Sequence, residues 1–264
     1  MDQQFEDEVQ LEPTRLVALI VLEVKERVAI CRLPGAQTTI TLRASSIESL
    51  VPGEFAVIAP KSQWSYKGHP YLSGTIVDCF LEVPALELVP LALHDRGDCR
   101  SWRSYEMEQV IPGYDPMDYE LDPIGLAVDH NDSGDRKAAR KILMGLCRAD
   151  LRCIDAHAHL GNLVFEVSPE IAIRHYAVGM AIGEMSLPAD FDGVLEWGCI
   201  DNRPYLRCLH SYGLCLWRLG RFKQAEGVFV RMLALNPDDN RGVRFLLDPV
   251  RRGEPWMSDE LLLV

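Results

Sequence analysis

The run Ile154-Asp155-Ala156-His157-Ala158-His159-Leu160 concentrates the residue types best suited to metal chemistry in this chain. On an extended strand, residues two apart project to one side, so both imidazoles could ligate a single zinc-type ion. On a helix the same two residues diverge by roughly 200°, and shared ligation is lost. The surrounding pattern is helical, so His157 and His159 are read as helix positions and no metal is expected. The chain also lacks a Gly-rich phosphate loop, a G-x-S-x-G and an H-E-x-x-H. No catalytic residue and no cofactor are therefore assigned. Trp64, Tyr66, His69 and Tyr71, beside Lys61 and Lys67, offer a different chemistry. Trp64 and Tyr66 share a strand face, and exposed aromatics beside lysines form a stacking platform for single-stranded nucleic acid. In a small barrel such rings also serve as core or as a seal between domains, and the acidic total charge favours that use.

The elements that must position these groups fall into two halves. Between about 14 and 93, strand signals sit at Leu16–Val24, Arg27–Leu33, Thr38–Leu42, Phe55–Ala59, Gln63–Tyr66 and Tyr71–Val83, separated by Pro/Gly turns. Short strands with such turns predict a small, closed or nearly closed antiparallel β-barrel. Residues 94–118 read as a linker with a short helix at 102–110, because Pro112-Gly113 and Asp115-Pro116 interrupt the pattern. Everything after Tyr119 reads as helix. The fold class is thus α+β in two domains: an acidic disordered tail over 1–13, a barrel-like domain over 14–93, the linker, helical repeats over 119–252, and a tail over 253–264.

A net charge of −12 on 264 residues disfavours bulk attraction to nucleic acid or anionic lipid. No apolar run approaches the roughly 18 residues of a spanning helix, and the acidic start MDQQFEDEVQLE is unlike a secretory signal. The eight cysteines form no C-x-x-C pair and several occupy apolar helical positions, which reads as buried reduced thiols in a cytoplasmic protein.

The segment YGLCLWRLGRFKQAEGVFVRMLALNPDD places small residues at Gly213 and Ala225, a turn at Leu219-Gly220-Arg221-Phe222 and a stop at Asn236-Pro237. With Leu209, Tyr212, Leu216, Phe229 and Met232, it resembles a tetratricopeptide repeat, a helix–turn–helix unit of about 34 residues. The same register runs upstream. His157 and His159 fall in a first helix ending near Gly161-Asn162, and Ala172 is the small crossing residue of its partner after a one-residue deletion. Ala139, Leu143, Leu146 and Leu151 continue an earlier unit, and Asn240–Arg252 would be a terminal helix. About three repeats follow, near the minimum for a stable array. The insertion at about 187–204 carries Phe191 and Trp197, with Asn202 placed to cap the next helix and Pro204 in its first turn. LNPDDNRGVRFLL also resembles a short stretch of the suppression-of-tumorigenicity family, which implies no defined chemistry. The H-x-H run is similar to the amidohydrolase metal signature, but the hundred or so residues after it are too few to complete a barrel of about 250 residues.

The repeat resemblance implies a concave groove lined by first helices. Its inward positions are Asn162, Phe165 and Glu166, then Arg207, His210, Trp217 and Arg218, with Arg241 and Arg244 from the terminal helix. Asn162 and the arginines are similar to the residues that hold a peptide carboxylate in some family members, although Leu214 stands where a second asparagine would be. The primary expectation is a non-enzymatic scaffold or adaptor that binds a protein or peptide, anionic in character, in this groove. The alternative is a nucleic-acid or ribosome-associated factor using the β domain. A third reading is a metal-dependent hydrolase using His157 and His159.

Overall fold

The computed structural model describes residues 15–115, 117 and 122–257. The acidic tail expected over 1–13 and the last residues of the expected C-terminal tail lie outside the described residues. Strands β1 (Val17–Val24), β2 (Ala29–Arg32), β3 (Thr39–Arg43), β4 (Phe55–Tyr66) and β5 (His69–Phe80) close into a barrel in the order β1-β2-β3-β5-β4. The expectation of antiparallel pairing fails at one seam, because β3 and β5 run parallel with Thr41 opposite Tyr71. The reason is directional. β4 is antiparallel to β1 on one side and to β5 on the other, so β5 takes the direction of β1 and β3. Phe55–Ala59 and Gln63–Tyr66 belong to one strand with a register shift between Pro60 and Ser62. Proline has no N–H for the ladder, and a bulge accommodates it.

Leu19, Val21, Cys31, Leu42, Ala56, Ile58 and Leu72 are fully enclosed. β1 is buried along almost its whole length because helix α2 (Arg136–Ala149) covers its outer side. Polar ties fix the barrel against the helices. Arg140 donates to the Val24 carbonyl at 2.8 Å and Arg148 to Glu23 at 3.0 Å. Arg174 donates to the Ser49 carbonyl at 2.8 Å and pairs with the buried Glu54.

The segment expected as a linker holds a β-hairpin, β6 (Leu93–Cys99) with β7 (Trp102–Met107), where a short helix was expected at 102–110. This hairpin grips the insertion. Tyr105 N donates to Val194 O, and Val194 N donates to Arg103 O, both at 2.9 Å. Ser104 Oγ and Cys99 Sγ both donate to the Glu196 carboxylate, at 2.6 and 3.0 Å. Asn202, fully buried, does not cap the next helix with its side chain. Its amide instead accepts from Met107 N at 2.8 Å and donates to Tyr105 O and Glu196 O, while Pro204 does lie in the first turn as expected.

The helical half comprises α1 (Pro123–Asp132), α2, α3 (Ile154–Val164), α4 (Pro169–Met185), α5 (Arg203–Arg218), α6 (Phe222–Leu235) and α7 (Val243–Arg251). Asp122 and Asp135 accept from Ile124 N and Ala138 N, capping α1 and α2. Consecutive helices pack in hairpins, α1 on α2, α3 on α4 and α5 on α6, and α3 also touches α5. Glycine permits the closest approaches. A Cβ on Gly161 would lie 2.4 Å from the Tyr176 ring, and one on Gly213 would lie 2.4 Å from the Phe229 ring. The spacings differ by one residue, which is the deletion read from the sequence. No helix among the described residues is long and apolar enough to cross a membrane. All eight cysteines are free, five of them buried, and burial pushes the Cys153 and Cys215 thiols up to about 12.

Candidate partner-binding groove

One cluster of the residues expected to line a groove is built around the indole of Trp197. Its backbone is pinned where Leu195 N donates to Leu235 O at 2.7 Å and Trp197 N donates to Asn236 Oδ1 at 3.2 Å. Three guanidinium groups surround the ring: Arg203 at 5.5 Å from its centroid, Arg207 at 6.0 Å and Arg241 at 5.5 Å. Such cation–π contacts hold positive charge against the ring but leave the guanidinium N–H groups available. Arg203 uses Nε on the Trp197 carbonyl at 2.9 Å. Arg207 donates to both oxygens of Asp155, at 2.8 and 3.1 Å. Arg241 has no hydrogen-bonding or ionic partner among the described residues. Desolvation, and then the Arg207 charge, lower its pKa from the ordinary arginine value.

Asp155 is buried and shared. It receives Arg207, lies 3.6 Å from His159 Nε2 and accepts from Gln109 Nε2 at 3.4 Å. His210 is buried beside Phe229, and its Nδ1 has no hydrogen-bond partner among the described residues. Burial and the Arg241 charge bring its pKa down to about 3, so it is a neutral wall at physiological pH.

A second cluster of these residues packs against the segment Glu254–Trp256. Trp256 stands edge-on to Trp217 at 5.3 Å and to Phe165 at 5.9 Å, and Trp217 Nε1 donates to Glu254 O at 2.7 Å. Arg218 lies over the Phe165 ring and donates to Phe165 O at 2.8 Å and to Glu166 at 3.0 Å.

The groove residues named from the sequence therefore divide. Arg207 and Arg241 come together at Trp197, with His210 in the field of Arg241, while Phe165 and Trp217 meet Trp256 and Arg218 joins them through Phe165 and Glu166. Asn162 stands apart and accepts from Tyr176 Oη at 2.7 Å. Arg244 is exposed and its guanidinium is tied to Pro237 O, outside both clusters. Sequence reasoning missed Asp155, although it holds the repeat position equivalent to Arg207. It also missed Arg203 and Trp256, which belong to the insertion boundary and the tail and so have no repeat register to mark them.

The histidine pair lies on α3, as its helical reading required. His157 Nε2 donates to Leu151 O at 3.1 Å in a fully buried site, and burial lowers its pKa to about 4, while His159 faces Asp155. Among the described residues, no group of three His, Cys, Asp or Glu side chains is placed to hold a metal ion. No protein-family model matches this chain, and no curated protein matches it.

Proposed function

We propose that this chain is a non-enzymatic interaction protein whose helical half, a short tetratricopeptide-type array, holds a carboxylate-bearing segment of another protein. The observation that carries this reading is the guanidinium of Arg241, stacked on Trp197 beside Arg207 with no acid to answer it. A carboxylate entering there meets N–H donors already ordered by the indole, so little side-chain freedom is lost on binding. Asp155 satisfies Arg207 but does not reach Arg241, which leaves the net charge of the cluster positive on an acidic protein. The segment at Glu254–Trp256 supports the same reading in cis. It offers one backbone carbonyl to Trp217 and one aromatic ring to Phe165 and Trp217, as a bound peptide with an aromatic anchor would.

Binding to an array of random peptides, each synthesised with a free and with an amidated C-terminus, tests the proposal. Preference for peptides bearing a terminal or side-chain carboxylate, lost on Arg207→Glu with Arg241→Glu, is the expected result. Preference for peptides without acidic groups, or binding unchanged by that double substitution, would overturn it.

A further inference from the structure

The barrel carries a second charged face, formed where β3, β5 and β4 lie side by side. Strand alternation puts Thr41 and Arg43 of β3 on the outer side, with His69, Tyr71 and Ser73 of β5 and Ser62, Trp64 and Tyr66 of β4, while Leu72 points inward and is fully buried. The pairing aligns the outer residues across strands. Trp64 is opposite Tyr71 and stacks on it at 5.4 Å and 12°, and Tyr66 is opposite His69 at the hairpin tip. Arg43 reaches over both rings, 5.6 Å from Trp64 and 5.8 Å from Tyr71, and Lys67 lies over Tyr66 at 5.4 Å.

Charge is the second observation. Arg27 from the β1–β2 turn, Arg43 and Lys61 line an open cleft of about 540 Å³ next to this platform. None of these three, nor Lys67, makes a close ion pair among the described residues; Glu26 pairs with Lys137, although its charge also reaches Arg27. On a protein of net charge −12, a face holding four cations, three of them with no ionic partner among the described residues, is a local exception. Tyr66 is 60 % exposed with Lys67 over one face of its ring, which leaves the opposite face as the surface on which a nucleobase would lie. On the same strands Ser62 and Ser73 share a hydrogen bond at 2.6 Å, and His69 is linked to the buried Thr41.

We infer that the β3–β5–β4 face binds single-stranded nucleic acid, with Tyr66 and the Trp64–Tyr71 stack meeting unpaired bases and Arg27, Arg43, Lys61 and Lys67 meeting the phosphates. Paired bases hide their faces, so a duplex offers the cations its backbone but gives the aromatic rings nothing to stack on. An acidic polypeptide would answer the charge and leave the rings unused. This site shares no residue with the helical groove and stands independently of the function proposed there.

Fluorescence anisotropy of the full chain with labelled oligo-dT and oligo-U, with a duplex of equal length and polyglutamate as competitors, tests the inference. Binding of either single strand in preference to both competitors is expected, and the stronger of the two identifies DNA or RNA as the ligand. The logarithm of the affinity should fall with log salt at a slope of about 3, from ~0.7 per phosphate at four contacts. Tyr66→Ala should weaken binding about tenfold through lost stacking. Arg43→Glu with Lys61→Glu should abolish it, and Arg241→Glu should leave it unchanged. These side chains are exposed, and unchanged melting curves would establish that the variants fold. No binding at low salt, equal binding of duplex, stronger binding of polyglutamate, or indifference to Tyr66→Ala and to the charge reversals would each overturn the inference.

Discussion

Arg207 donates to both carboxylate oxygens of Asp155, 52 residues before it, across the interface between α5 and α3. Arg218 repeats the relationship with Glu166, also 52 residues earlier. Two ion pairs at one offset, the second from two residues past the end of α3, set this segment and α5 in one register. In this register the acid of the earlier segment and the base of α5 occupy equivalent positions. The pairs differ in environment: Asp155 is buried and holds Arg207 through its carboxylate, whereas Glu166 is exposed and Arg218 is held mainly by the Phe165 and Glu166 carbonyls.

Removing that restraint should strengthen anion binding. Asp155→Asn frees Arg207 to join Arg241, and the affinity for a carboxylate peptide should rise about tenfold, the effect of one charge-assisted hydrogen bond of about 1.5 kcal/mol. Titration of the variant with a selected peptide checks the direction, and an unchanged or weaker affinity would count against the shared site.

Trp256 should act as a removable stopper. Trp256→Ala removes two edge-to-face ring contacts and is expected to cost about 1–2 kcal/mol of stability, read from the urea midpoint. The same variant should expose Trp217, seen as a red shift and faster quenching of its fluorescence. A stable variant with unaltered tryptophan emission would contradict the placement of the tail.

Two glycines give opposite expectations. Gly213→Ala drives a methyl into the Phe229 ring, 2.4 Å away, and should destabilise by about 2–3 kcal/mol. Gly145, inside α2, has nothing within 4 Å of the added Cβ. Gly145→Ala should therefore stabilise by about 0.5–1 kcal/mol through helix propensity and a less free unfolded chain. Thermal melts of the two variants should move in opposite directions.

Acid sensitivity follows from three buried imidazoles. Burial lowers the pKa of His157 to about 4, that of His210 to about 3, and that of His175 well below its usual value. All three stay neutral in the fold and protonate in the unfolded chain near the ordinary value of 6.5. The unfolded chain then binds more protons below that pH, so stability falls as pH falls, from about 6.5 towards 4 for His157 and towards 3 for His210. Each group contributes a slope of about 1.4 kcal/mol per pH unit in its window. His210→Leu, which also removes the unpartnered Nδ1, should lower the slope by one such increment while leaving stability near pH 7.5 little changed. An identical slope in the variant would show that His210 already binds its proton in the fold.

Much of the architecture was legible because it rests on local periodicity. The alternating runs marked the barrel strands, and the Gly213 and Gly161 registers marked two helix hairpins, including the single-residue difference between them. The parallel seam at Thr41 and Tyr71 was not legible, since strand direction in a barrel is set by which strands meet and not by the residues within them. The β6–β7 hairpin escaped for a related reason. Its charged residues, such as Asp95, Arg96, Asp98 and Arg103, mask a strand whose buried contacts are confined to positions such as Ser104 and Met107. At the site, the expected repeat register gathered Arg207, His210, Trp217, Arg218 and Arg241 on one face, whereas the structure sets Arg207 and Arg241 at Trp197 and Arg218 at Phe165 beside Trp256, because the insertion and the tail that supply the two tryptophans carry no such register.

Isothermal titration of one selected peptide in two forms, with a free C-terminal carboxylate and amidated, against the wild-type chain and Arg241→Ala tests the central claim most directly. The groove account predicts that amidation weakens binding to the wild type about tenfold, or ~1.4 kcal/mol, and has little further effect on Arg241→Ala. An amidation penalty of the same size in both proteins would contradict it, because the carboxylate would then be held somewhere other than beside Arg241 and Trp197.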